Sequence, residues 1–197
     1  AAPYLSGGGA TAAVTTQGTT WQTGPARHEA GSPNVLGAIA LAAACATLRE
    51  HRRLVTHREE DLTERLVAGL RAIDGVETFS IFGEDHDRAP VVSFVIDGLE
   101  PGLVSAALSA EHAIAVRDGK FCAHLLVDAL LEDAGVEARS AVRVSAGLAN
   151  TDEHIERLLA AVESLATRGP RAAYHVVEGE GWVPVEDPRD LSVTLPW

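Results

Sequence analysis

AVRVSAGLANTDEHIERLLAAVESL, residues 141–165, changes its period in the middle, and that change decides the fold. AVRVSAGL is a β-branched run that reads as a half-buried strand. From Ile155 onward, Ile155, Leu158, Leu159, Val162 and Leu165 return at helical spacing and make one apolar face. Asn150 or Thr151 caps this helix, and Asp152 and Glu153 suit the positive end of its dipole.

Working upstream, CAHLLVDALL reads as a helical segment, IAVRD as a strand and PGLVSAALSAEH as a helix. VETFSIFG and PVVSFVID are short β-branched and aromatic runs around the polar EDHDRA, so they form two paired strands. A helix from about Thr56 to Ile73 presents Leu62, Leu66, Leu70 and Ile73 on one face and ends at Asp74 and Gly75. The order implies an α+β layer, helices on a mainly antiparallel sheet, over residues 56–168.

The segment 1–55 differs. Residues 1–31 lack a sustained period and read as loops with one short strand, GGGA at Gly7–Ala10 being a flexible turn. Ser32 suits a cap and Pro33 a first helical position, opening an apolar helix to about Arg49. Its run Val35–Leu48 falls short of the roughly 20 residues that span a bilayer, so it reads as a core helix with Cys45 buried in it. From Gly169 to Trp197 the period is lost. Turns are expected at Pro184 and Pro188, with Trp182 and Trp197 exposed in a tail lying over a surface or meeting a partner.

Composition excludes several functions. The 197 residues are 46% hydrophobic and carry a net charge of −12, so the chain folds into a globule and offers no broad cationic surface to nucleic acid. Two cysteines are too few for a disulfide framework and fit a reduced, cytoplasmic setting. Its eight histidines show no metal-ligand spacing, and no metal is expected.

Three residues stand out for chemistry. Cys122 has Arg117, Lys120 and His124 within five positions and Gly119 to turn the chain; it is either a thiol of lowered pKa or a small hydrophobe at a helix start. Arg143 in a half-buried strand demands either an anionic substrate group such as a carboxylate, an acidic side chain, or an edge facing water. Ser32, after Gly31 at a helix start, has the form of a phosphate seat and also of an ordinary cap.

Taken together, PYLSGGGATAAV, TTWQTGPARHEAGSPNVLGAIAL, IAVRDGKFCAHLL and AVRVSAGLANTDEHIERL resemble, in order and separation, the C-terminal half of the class V aminotransferase family. The likeness, over residues 3–167, is to its cysteine desulfurase and selenocysteine lyase branch, which are fold-type I pyridoxal 5′-phosphate enzymes. It implies an α+β fold: the end of the large cofactor-binding domain and a connecting helix over 1–55, the small C-terminal domain over 56–168, and a tail over 169–197. Cys122 matches the cysteine that attacks the substrate sulfur and becomes a persulfide, and Arg143 the arginine holding the substrate carboxylate. Arg117 matches the arginine opening the catalytic loop, a loop or substrate contact. Ser32 stands in place of a threonine that reaches the cofactor phosphate of the other subunit.

The resemblance therefore implies pyridoxal phosphate as cofactor, an amino-acid substrate, a homodimer and a sulfur-acceptor protein. The family's cofactor-bearing lysine, the aspartate under the ring nitrogen and the stacking histidine all lie upstream of the Gly-rich segment. Lys120 is the only lysine here and has another place. The sequence is then a fragment, or its partner half is a separate chain. Lys120 and Phe121 replace a His-rich approach to the cysteine, and GLANT lacks an aromatic before Asn150. Other readings stay open: transamination, elimination or epimerisation with Cys122 incidental, or a noncatalytic module.

Overall fold

The computed structural model describes residues 2–82, 86–187 and 189. It divides into two compact units, Ala1–Arg52 and Arg53–Trp197. The turn expected at Pro188 and the exposure expected at Trp197 lie outside the described residues.

In the first unit a 3-10 turn, Gly8–Ala10, leads into β1 (Thr11–Thr15) and β2 (Gly18–Trp21), an antiparallel hairpin where one short strand was expected. The Gly-rich segment is an ordered seat. Gly9 N donates to Ala30 O at 3.2 Å, and a Cβ at Gly7 would fall 2.1 Å from Ala30 O. Only glycine permits that approach, so the turn supports the backbone just before Ser32. Helix α1 (Val35–Glu50) starts later than the sequence suggests. Asn34 is its cap, accepting from Gly37 N at 2.8 Å. Asn caps as well as Ser does, and here it is the Asn34 side chain that reaches the first-turn amide. Ser32 and Pro33 therefore precede the helix.

The core-helix reading of α1 is corrected as well: none of its residues is buried, and Cys45 is exposed. Hydropathy fixes what a helix gains by burial, but burial also needs a facing layer. The described residues of this unit supply only a hairpin and turns.

The second unit takes in α2 (Arg52–Arg71) from its second residue, followed by β3 (Val76–Phe79), β4 (Val91–Ile96), α3 (Pro101–His112), β5 (Arg117–Gly119), α4 (His124–Asp133), β6 (Ala141–Ser145) and α5 (Asp152–Arg168). The four strands form one sheet in the order β3-β4-β6-β5, every pair antiparallel. Strand β5 is shorter and later than IAVRD implied.

Alternation along β4 and β6 sorts the two sheet faces. Val92, Phe94, Ile96, Val142 and Val144 enter one core with Leu62, Leu66 and Leu70 of α2, Val104 and Leu108 of α3, and Ile155, Leu158, Val162 and Leu165 of α5. Val95 and Ala141 point the other way, onto Val127 and Leu131 of α4. The start of α5 is held by Thr151 in a reciprocal capping box with His154. Arg58 on α2 reaches Asp152 at 2.8 Å and Asn150 O at 2.9 Å. That guanidinium holds the Asp152 carboxyl below its ordinary value.

After α5 the tail is structured. Strands β7 (Tyr174–Val177) and β8 (Gly181–Pro184) make an antiparallel hairpin, so Pro184 closes a strand and does not mark a turn. Glu111 at the end of α3 is the anchor, its side chain only 6% exposed. It accepts from Arg171 N at 2.9 Å, Ala172 N at 3.0 Å and the Tyr174 hydroxyl at 3.0 Å, and pairs with Arg171 Nε at 3.0 Å. Trp182, expected to be exposed, lies half-buried over Gly102 of α3, where a Cβ would come within 2.9 Å of its ring, and its indole N–H donates to Glu100.

Burial pushes the Glu111 carboxyl up, but the Ala172, Arg171 and Tyr174 donors outweigh it and leave the folded value below the ordinary one. A depressed carboxylate stabilises the fold above its unfolded value, and that contribution is lost as pH falls through the folded value. Thermal melts should therefore show an acid limb that Glu111→Gln flattens, with the variant about 2 kcal/mol less stable at neutral pH. Gly102→Val should cost about 1–3 kcal/mol by overpacking and red-shift the fluorescence of Trp182; unchanged emission would contradict the seat.

Candidate active site

The face of the sheet that carries α4 is apolar at one end and cationic at the other. Ala141, Arg143 and Ser145 share this face of β6 by alternation. Arg143 stands directly opposite Arg117 of β5 on one side and Ser93 of β4 on the other. Directly opposed residues project together, so two guanidinium groups and a serine form a row across three strands.

Like charges facing each other across a strand pair are destabilising. Among the described residues neither arginine makes an ion pair, and Arg143 Nε is buried without a hydrogen-bond partner. Strand β6 is interior to the sheet, between β4 and β5. Because β6 is interior, the edge reading of Arg143 does not hold, and among the described residues no acidic side chain pairs with it.

Cys122 lies five positions after Arg117, in the turn between β5 and α4, and is exposed. Phe121 and Cys122 both have positive φ, 52° and 59°. The turn is closed by Ala123 N donating to Lys120 O at 2.8 Å. Lys120 does not stand free beside the thiol; its ammonium pairs with Asp128 of α4 at 2.5 Å. Phe121 joins the two halves of the site: the Arg143 guanidinium lies 5.1 Å over its ring.

The geometry thus brings Arg117 and Arg143 together and sets Cys122 one residue from a side chain in contact with Arg143. Ser32 belongs to the first unit, exposed, and its hydroxyl makes no hydrogen bond among the described residues. The sequence reading did not single out Ser93 or Phe121, which the strand register and the ring contact place beside Arg143. Alternation in VVSFV marks Ser93, since it leaves the sheet opposite to Val92 and Phe94, whereas nothing local marks Phe121. Among the described residues no group of three His, Cys, Asp or Glu converges to hold a metal, and no helix is long and apolar enough to cross a membrane.

The family model for aminotransferase class-V matches residues 1–158. The chain belongs to the class-V aminotransferase family. Similar curated relatives of this class-V member include a probable cysteine desulfurase of Xylella fastidiosa, 37% identical over 81% of this chain and 36% of that protein. Another, from Vibrio cholerae, is 36% identical over 81% of this chain and 37% of that protein. Among solved structures, the apo cysteine desulfurase of Thermococcus onnurineus NA1 superposes with a TM-score of 0.64 at 33% identity, covering 83% of this chain and 39% of that one. The α+β fold is accordingly that of a fold-type I pyridoxal phosphate enzyme. The chain spans less than two fifths of the length of these relatives. Hairpin β7–β8 follows the last residue the family model matches.

Anion binding at Arg143 and Arg117 can be tested directly. Sulfate should raise the melting temperature more than chloride at equal ionic strength, because it binds the folded state alone. Arg143→Met and Arg117→Gln should each remove about half or more of that excess; equal shifts in wild type and both variants would exclude such binding.

Proposed function

We propose that this chain is the C-terminal part of a pyridoxal phosphate-dependent cysteine desulfurase, moving sulfur from cysteine to Cys122 as a persulfide. The observation that carries this reading is the cationic row with an unmet Arg143 donor, tied through Phe121 to an exposed thiol. Relatives at 36–37% identity carry the same name.

Arg143 holds the substrate carboxylate through a two-point contact, and Arg117 adds charge from the adjacent strand. Pyridoxal phosphate, when bound, supplies an electron sink for the amino acid. The Cys122 thiolate forms an S–S bond to the substrate sulfur as that sulfur's bond to carbon breaks; the electron pair stays on carbon, which is protonated to give alanine.

For the cofactor, the donor set of this chain fits at one point. Ser32 presents a hydroxyl that makes no hydrogen bond among the described residues, on a backbone propped by Gly7 and Gly9, suited to one phosphate oxygen. Ser32 reaches the phosphate held by the other subunit of a homodimer. Residues 1–55 then close the large domain and 56–168 form the small one, with the cofactor-bearing lysine outside this sequence. A sulfur-acceptor protein discharges the persulfide, and the setting is cytoplasmic, in keeping with two free cysteines.

The pairing of Lys120 with Asp128 favours a second reading, in which the cofactor chemistry is elimination or transamination and the thiol is incidental. In a protein that includes the upstream half, Cys122→Ser should abolish sulfur release from cysteine and leave the cofactor absorbance unchanged. Retained release, measured as sulfide and alanine, would remove desulfuration.

A further inference from the structure

Two consecutive bulky residues of positive φ make the thiol turn a strained one, since each such residue costs on the order of 1–3 kcal/mol and persists only where the surroundings over-determine it. Cys122 is exposed and cannot supply that constraint. Phe121 can. It is partly buried and packs against the small core cluster that Val95 and Ala141 of the sheet form with Val127 and Leu131 of α4. Its ring lies under the Arg143 guanidinium, at 5.1 Å from its central carbon.

That contact matters because no acceptor in the described chain orients Arg143. With Nε buried and unpaired, a long side chain on β6 would be free to choose among rotamers. Stacking on an aromatic face restricts a planar guanidinium without occupying its N–H donors. One side chain therefore limits both partners: the backbone that presents the thiol and the cation that faces the anion.

We propose that Phe121 is a positioning residue that couples the thiol turn to the guanidinium, so that Cys122 presentation and Arg143 orientation are set together. This rests on the desulfurase reading for its purpose, but the coupling is a property of the chain and is measured without turnover. Phe121→Leu keeps the apolar volume and loses the aromatic face, whereas Phe121→Tyr keeps both.

The experiment uses the 197-residue chain with Cys45→Ser, so that Cys122 alone reacts. Nitrogen-15 spectra should show the Arg143 Nε–H displaced upfield by the ring, its assignment made by loss in Arg143→Lys. In Phe121→Leu the displacement should vanish and the iodoacetamide rate at Cys122 change by about fivefold, while Phe121→Tyr restores both. A Leu variant that keeps the wild-type shift and a rate within about twofold overturns the proposal.

Should Phe121→Leu fail to fold, the reverse measurement decides. Arg143→Met should alter alkylation at Cys122 even above the thiol's titration, where a change in thiolate fraction no longer contributes, because coupling between sites is reciprocal; an unaltered limiting rate overturns it. In the protein completed by its upstream half, Phe121→Leu should raise KM for cysteine about fivefold with Tyr rescuing it, a pattern that mere loss of packing does not give. Absence of desulfurase activity in the wild type would defeat the functional reading and leave the spectra and alkylation rates to judge Phe121.

Discussion

Strand β6 holds two kinds of chemistry on five residues because successive side chains leave opposite faces of a sheet. Val142 and Val144 are locked into the main core against three helices, which fixes the register of β6 between β4 and β5. Arg143 then has no choice of face. A one-residue slip would bury the guanidinium in hydrocarbon and expose two valines, so the hydrophobic core is what keeps the cation aimed at the site. The opposition of Arg143 to Arg117 follows from that register and from nothing local to either arginine.

The repulsion built into this row and the left-handed backbone at Phe121 and Cys122 are both costs that the rest of the fold must offset. Local inconsistency of this kind collects where a protein binds or reacts. Here the two costs meet at one ring. Phe121 packs against the smaller core around α4 and carries the guanidinium on its face, so the strained turn and the unpaired cation are stabilised by the same contact.

Helix α3 is braced from outside by the C-terminal hairpin. Glu111 gathers two backbone amides, a guanidinium and a phenol into one nearly buried carboxylate, and Trp182 fills the gap that Gly102 leaves. Burial and the Glu111 charge raise the Tyr174 hydroxyl well above its ordinary value, so it stays a donor at every physiological pH. Since α3 also packs on β4, β5 and β6, the hairpin adds a layer behind the sheet that bears the site.

Periodicity alone marked the helices of the second unit, the strands of its four-stranded sheet to within a few residues, the capped start of α5 and its apolar face, because those features depend on residues a few positions apart. Local composition singled out Cys122, the strand reading singled out Arg143, Arg117 entered as a site residue through the resemblance, and the four motifs in order identified the family. The sequence did not reveal the hairpin at 174–184, whose strands are too short for a clear period and whose anchor, Glu111, lies some sixty positions away. Nor did it show Asn34 as the cap of α1, the bare surface of that helix, or the pairing of Lys120 with Asp128. The reason is the same in each case. A side chain's own chemistry and its spacing are written locally, whereas its partner, its burial and its charge environment are set by chain segments that only folding brings near, and those decided that Lys120 pairs with Asp128 and that Phe121 lies under the Arg143 guanidinium.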